Sequence, residues 1–223
     1  AMDALRILQQ SGVSMALVHD EYGHLEGVVT PADLLSAIVG TFASHQDEGD
    51  APMIVTREDG TLLLALRRGI VHLNPATGAI KDLVQAPYDP RVERFNDGKV
   101  DPMGRLWVGT MYEPRTPALA RVYRLDRDPK GFNLTAVADH VTVSNGLAFS
   151  PDGRTVYRSD TTSHTVWAAE LSPATGDCGP WVQMTAFEPR QEGQPLHTYG
   201  GRPDGAAVDA EGCYWAAMYE GQA

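Results

Sequence analysis

Gly201-Arg202-Pro203-Asp204-Gly205-Ala206-Ala207-Val208-Asp209-Ala210-Glu211-Gly212-Cys213-Tyr214-Trp215 is the stretch that decides the fold, because its frame occurs twice more upstream. The frame is a polar residue with a glycine, a short apolar run, an acidic turn ending in glycine, and then an aromatic strand. One earlier copy is Asn96-Asp97-Gly98-Lys99-Val100-Asp101-Pro102-Met103-Gly104-Arg105-Leu106-Trp107. The other is Asn145-Gly146-Leu147-Ala148-Phe149-Ser150-Pro151-Asp152-Gly153-Arg154-Thr155-Val156-Tyr157. The first glycine precedes the second by six residues in the earliest copy and by seven in the other two, which holds Asp97, Asn145 and Asp204 at one place in successive repeats.

Working outward, the marker Asp-Gly or Asp-x-x-Gly ahead of an apolar strand falls at Gly60, Gly104, Gly153 and Gly212, in steps of 44, 49 and 59 residues. Such steps are those of propeller blades. Each of the first three markers is followed by a second turn: Asn74 to Gly78, Asp126 to Gly131, and Ser172 to Gly176. Two hairpins per repeat make a four-stranded blade. The markers predict a mainly β chain with two complete blades and parts of two others, and both ends read as cut in mid-pattern. Open propeller edges of this kind invite self-association.

The first 58 residues have a different texture. Leu5, Ile7 and Leu8 carry a helical pattern over residues 2 to 10 that Ser11-Gly12 ends. Val13 to Val18 and Leu25 to Val29 read as paired strands, and Thr30, Pro31 and Asp33 open a second helix through Leu34, Leu35, Ile38 and Val39. This is a small α/β module, and the polar run Ser44 to Asp50 within it reads as a loop or linker.

Composition narrows the function. A net charge of -11 argues against a nucleic-acid partner, since phosphate contacts need a basic surface. Two cysteines, Cys178 and Cys213, are too few for a disulfide framework and lack metal-ligand spacing. With no apolar run long enough to span a bilayer and no secretory leader, the expected location is the cytoplasm.

In a propeller the first strand of every blade lines the central channel. Asp97, Asn145 and Asp204, placed just before that strand, should therefore meet at one mouth. Their oxygens suit a hard divalent cation, and Arg94 and Asn96 beside them suit a polyhydroxy ligand. The same Asn-Gly and Asp-Gly pairs are also common hairpin signals.

Two family resemblances add to this reading. Ser14-Met15-Ala16-Leu17-Val18-His19-Asp20-Glu21-Tyr22-Gly23-His24-Leu25-Glu26-Gly27-Val28-Val29-Thr30-Pro31-Ala32-Asp33-Leu34-Leu35 resembles the second CBS module of the hemolysin-related and magnesium/cobalt-efflux proteins. The match continues through Asp47-Glu48-Gly49-Asp50 to Met53-Ile54-Val55-Thr56-Arg57-Glu58-Asp59-Gly60. The resemblance implies a single CBS-like module over residues 1–58, and adenine-nucleotide binding through Gly27, Thr30 and Asp33. In the other reading, Thr30 and Asp33 only cap the helix.

Arg94-Phe95-Asn96-Asp97-Gly98-Lys99-Val100-Asp101-Pro102, Gly109-Thr110-Met111, Ser144-Asn145-Gly146-Leu147-Ala148, Ser150-Pro151-Asp152-Gly153 and Gly201-Arg202-Pro203-Asp204-Gly205 are similar in order and spacing to the senescence-marker/gluconolactonase, or regucalcin-like, family. That likeness implies a partial, truncated six-bladed-type propeller over residues 59–223. It also implies one divalent metal ion (Ca, Zn, Mn or Mg) and hydrolysis of a sugar lactone. By the same likeness Asn145 and Asp204 are metal ligands, Asp204 is also the catalytic base, and Arg94, Asn96 and Glu113 hold the substrate.

The chain departs from that family in one respect. The early Glu-Gly-Pro-x-Trp motif that supplies a further metal ligand is absent, and Glu26-Gly27 belongs to the CBS pattern. The expected site is short of one charged ligand, and its activity is expected to be impaired. The switch between resemblances falls at Arg57 to Leu63, a string common to both, which suggests a fused or misjoined frame that sequencing of the source DNA across the junction checks.

Overall fold

The computed structural model describes residues 16–19, 25–29, 53–57 and 59–221. The chain divides into two compact units, Ala1–Gly49 and Asp50–Ala223. In the first, β1 (Ala16–His19) pairs antiparallel with β2 (Leu25–Val29), and the ladder is irregular between Val18 and His19. The second strand has the predicted bounds, and the first is described over Ala16–His19, one residue past the predicted end at Val18. The two helices expected over residues 2–10 and 31–39 lie outside the described residues.

The second unit is a run of antiparallel sheets laid down in chain order. β3 (Met53–Thr56), β4 (Leu62–Leu66), β5 (Gly69–Asn74) and β6 (Ala79–Gln85) form one four-stranded blade. β7 (Glu93–Val100), β8 (Leu106–Tyr112), β9 (Ala120–Asp128) and β10 (Gly131–Val141) form the next. The third is β11 (Ser144–Phe149), β12 (Thr155–Asp160), β13 (Thr165–Glu170) and β14 (Val182–Ala186). β15 (Arg202–Val208) and β16 (Tyr214–Tyr219) make a two-stranded sheet after a short 3-10 turn at Leu196–Thr198. The first strands are neighbours, β7 against β3 and β11, and β11 against β15.

Among the described residues three blades are complete, where the turn markers alone predict two. The difference lies in Met53-Ile54-Val55-Thr56, which the sequence groups with the CBS-like match but which pairs with β4 from Met53↔Ala65 to Thr56↔Leu62. A four-residue apolar run fits either context, and only its partner decides.

The repeated turn explains the repeated spacing. In each first hairpin a left-handed glycine closes the loop with its N–H on the carbonyl three residues back. The pairs are Gly60 on Arg57, Gly104 on Asp101 and Gly153 on Ser150, all at 2.9 Å, and Gly212 on Asp209 at 3.1 Å. Only glycine adopts that backbone without cost.

Side chains alternate across a strand, and the middle blade buries both faces. Leu106 and Val108 of β8, with Phe95 of β7 and Tyr123 and Leu125 of β9, pack against Ala65 and Ile70 of the first blade. Trp107 and Val122, one residue out of phase, pack toward the third blade with Leu147, Val156, Ala169 and Leu171. Trp107 is fully buried, its ring meets Phe149 edge-on at 5.5 Å, and its indole N–H donates to Asp101 Oδ2 at 3.0 Å. Trp215 makes the matching bond to Asp209 Oδ2 at 2.7 Å but is 65% exposed. The repeat thus places an identical device in two environments.

Candidate functional site

Each of β7, β11 and β15 interrupts its ladder near the middle, between Phe95 and Gly98, Asn145 and Ala148, and Pro203 and Ala206. Such bulges leave residues unpaired and re-aim their side chains. The three polar-glycine motifs lie at these interruptions, inside the first strands and not just before them as the sequence suggests.

The interruptions bring the predicted residues together. The Asn145 side-chain amide donates to Asp204 Oδ1 and to Thr161 Oγ1 at 3.2 Å. Asp97 is placed one strand over, where its Oδ2 accepts the Leu147 N–H at 2.9 Å and so satisfies the broken ladder of β11. The backbone of β15 is held as well, with Thr161 Oγ1 donating to Pro203 O at 2.8 Å and Ser159 Oγ to Asp204 O at 3.3 Å. From below, the Tyr214 hydroxyl donates to Gly146 O at 2.9 Å. Burial, reinforced by the charge of Asp97, raises the pKa of that phenol, so it remains a donor.

Gly146 makes this approach feasible. Its φ is 60°, and a Cβ there would press on the Tyr214 hydroxyl and lie 2.8 Å from Ser159 Oγ and 2.9 Å from Asp204 O. Gly146→Ala is expected to cost about 2–4 kcal/mol from the left-handed backbone and overpacking together. Thermal unfolding followed by circular dichroism measures it, and an unchanged melting temperature would show that β11 and β15 can move apart.

The predicted substrate residues form a second, contiguous group. Arg94 donates to Asn96 Oδ1 at 3.2 Å, and Asn96 Nδ2 donates to Ser144 O at 3.0 Å, one residue from Asn145. Glu113 follows β8, with Oε1 3.8 Å from Arg94 Nε. Arg67, which the sequence reading did not single out, grips Glu113 with both terminal nitrogens, at 3.1 Å to Oε2 and 2.7 Å to Oε1. Behind this group Glu93 is buried, and burial raises its pKa although Thr110 Oγ1 donates to it at 2.6 Å. Of the predicted nucleotide residues, Gly27 lies in β2 opposite Val18, and Thr30 and Asp33 lie outside the described residues.

A carboxylate and a carboxamide side by side are the donor chemistry of a hard divalent cation. Asn145 turns its nitrogen toward Asp204, and rotating the amide by half a turn presents Oδ1 there instead, an assignment that hydrogen bonding alone decides. Asn145 Oδ1, Asp204 Oδ1 and Thr161 Oγ1 then form an all-oxygen set, so the residues fit the group as part of its shell. Among the described residues no cluster of three or more His, Cys, Asp or Glu side chains is arranged to hold a metal.

Propeller blades whose first strands carry an oxygen-rich, arginine-flanked rim define the class of protein. The family model for the SMP-30/Gluconolactonase/LRE-like region matches residues 34–223, and the chain belongs to that family. A CBS-domain model matches residues 1–40. Among curated relatives, a 6-deoxy-6-sulfogluconolactonase of Pseudomonas putida is 39% identical over 165 residues, covering 74% of this chain and 53% of the relative. A regucalcin of Xenopus laevis is 33% identical over 182 residues, covering 77% and 56%. A solved calcium-binding regucalcin of Agrobacterium tumefaciens superposes with a TM-score of 0.64 at 27% identity, covering 76% of this chain and 54% of that one. The chain thus spans about half the length of the curated relatives it matches.

Proposed function

We propose that this chain is a metal-dependent hydrolase of sugar lactones. The observation that carries the reading is the meeting of Asn145 and Asp204, 59 positions apart, at the same interruption of adjacent strands and beside the Arg94–Asn96–Glu113 group. A divalent cation (Ca, Zn, Mn or Mg) held by Asn145 and Asp204 would polarise the lactone carbonyl and stabilise the oxyanion. With Asp204 Oδ1 and the turned Asn145 Oδ1 given to the cation, Asp204 Oδ2 takes the proton of the attacking water as its oxygen bonds to the carbonyl carbon. The ring C–O bond then breaks, and the proton passes to the departing alkoxide to give the open hydroxy acid. Arg94 donates to ring hydroxyls, while Asn96 and Glu113 orient the sugar. One carboxylate is a sparse charge for a divalent ion, and the expected rate is accordingly impaired.

The test is hydrolysis of gluconolactone by the purified chain with and without added Ca, Mn, Zn or Mg. A rate no higher than buffer under every metal would remove the proposal.

The CBS-domain match favours a second reading for the N-terminal module, adenine-nucleotide binding through Gly27, Thr30 and Asp33. Calorimetric titration with ATP, AMP and adenosine is expected to give heat that Thr30→Ala abolishes, and heat unchanged by that variant would leave only the helix-capping role. Two free cysteines suit a reducing compartment, and we place the chain in the cytoplasm. No helix among the described residues is long and apolar enough to cross a membrane. β16 pairs only with β15 among the described strands, and its open edge is where two copies would meet, visible as concentration-dependent elution from a size-exclusion column.

A further inference from the structure

The residue immediately after the second strand of each repeat has a common task. These residues are Arg67 after β4, Glu113 after β8, Thr161 after β12 and Glu220 after β16. Thr161 accepts from the Asn145 amide and donates to the carbonyl of Pro203. Glu220 accepts from Arg202 at 2.6 Å, two residues ahead of Asp204. Glu113 faces Arg94. Three of the four therefore brace or join the first-strand residues of the rim, and the fourth, Arg67, reaches across to the next repeat and holds Glu113.

We propose that Arg67 is a positioning residue for Glu113, fixing the carboxylate that reads the hydroxyls of a polyhydroxylated ring. The inference rests on the lactonase reading, which supplies both the ring as a sugar lactone and Glu113 as one of its contacts. A guanidinium fork matched to both carboxylate oxygens sets the plane of the carboxylate as well as its place. Arg67 NH1 also donates to the Pro90 carbonyl at 3.2 Å, which fixes the fork itself. Glu113 is thus presented with its plane set by Arg67 and one oxygen turned toward Arg94, so a ring hydroxyl meets an acceptor that does not have to be ordered on binding. The pair is about one-third exposed, and neither residue is a member of the apolar layer that joins the first two blades.

The experiment is calorimetric binding of 1,5-anhydroglucitol, a ring polyol with no lactone carbonyl, to the unaltered chain, Arg67→Met and Arg67→Lys. Arg67→Met is expected to bind about tenfold more weakly, as loss of one oriented charge-assisted contact implies, and Arg67→Lys to recover only part of this because an ammonium lacks the fork. Melting temperatures of the three proteins should stay together. Equal polyol affinity in all three proteins overturns the inference, as does absence of polyol binding by the unaltered chain. Arginine-dependent polyol binding without any lactone hydrolysis upholds it and removes the catalytic reading instead.

Discussion

Asp204→Asn is expected to lower metal-dependent gluconolactone hydrolysis by roughly a thousandfold or more, the scale on which loss of a combined ligand and base is felt. The substitution keeps shape and keeps an oxygen for the Asn145 amide. It removes the negative charge that would hold a cation and the group that takes a proton from water. The backbone at that position is secured independently, by Ser159 on the carbonyl of residue 204 and by Thr161 on that of Pro203. The variant should therefore melt within a few degrees of the parent. Acid release from the lactone, read with a pH indicator at several metal concentrations, makes the comparison. A variant that retains the metal-dependent rate would mean that the base lies elsewhere.

The second large effect concerns stability. Trp107→Ala is expected to cost about 3–5 kcal/mol, as for other fully buried large side chains, and to lower the melting temperature by roughly 10 °C or more. Trp215→Ala should stay within about 1 kcal/mol of the parent. Both indoles donate to an aspartate six residues earlier, Trp107 to Asp101 at 3.0 Å and Trp215 to Asp209 at 2.7 Å. The hydrogen bond is common to the pair, so the difference reports what burial adds, 0% against 65% exposed, together with the ring contacts to Phe149 and Arg124 that burial brings. In the buried copy the lost ring leaves a hole among Leu147, Val156 and Ala169, which the third blade supplies. Denaturant titration of both variants decides the matter, and similar losses would show that the hydrogen bond, not the cavity, sets the cost.

The blades were legible because a left-handed glycine marks every first hairpin and only glycine does that without cost. Less legible was the first strand of the first blade. Met53-Ile54-Val55-Thr56 carries no such mark of its own, and a short apolar run says nothing of its partner until pairing is seen. The convergence of Asn145 with Asp204 followed from counting between turns. The interruption that achieves it did not, since a bulge is defined by the opposite strand and leaves little trace in its own residues. Arg67 was missed for a similar reason: its partner lies 46 positions away, and the signal is a rank within the repeat, the residue after the second strand, which emerges only once strand ends are known.

The broken ladders of β7, β11 and β15 separate two jobs that a regular strand would combine. Residues at an interruption are released from the inward-outward alternation, so a polar side chain there ties one first strand to the next, Asn145 to Asp204 and Asp97 to the Leu147 N–H, while its apolar neighbours fill the layers between blades.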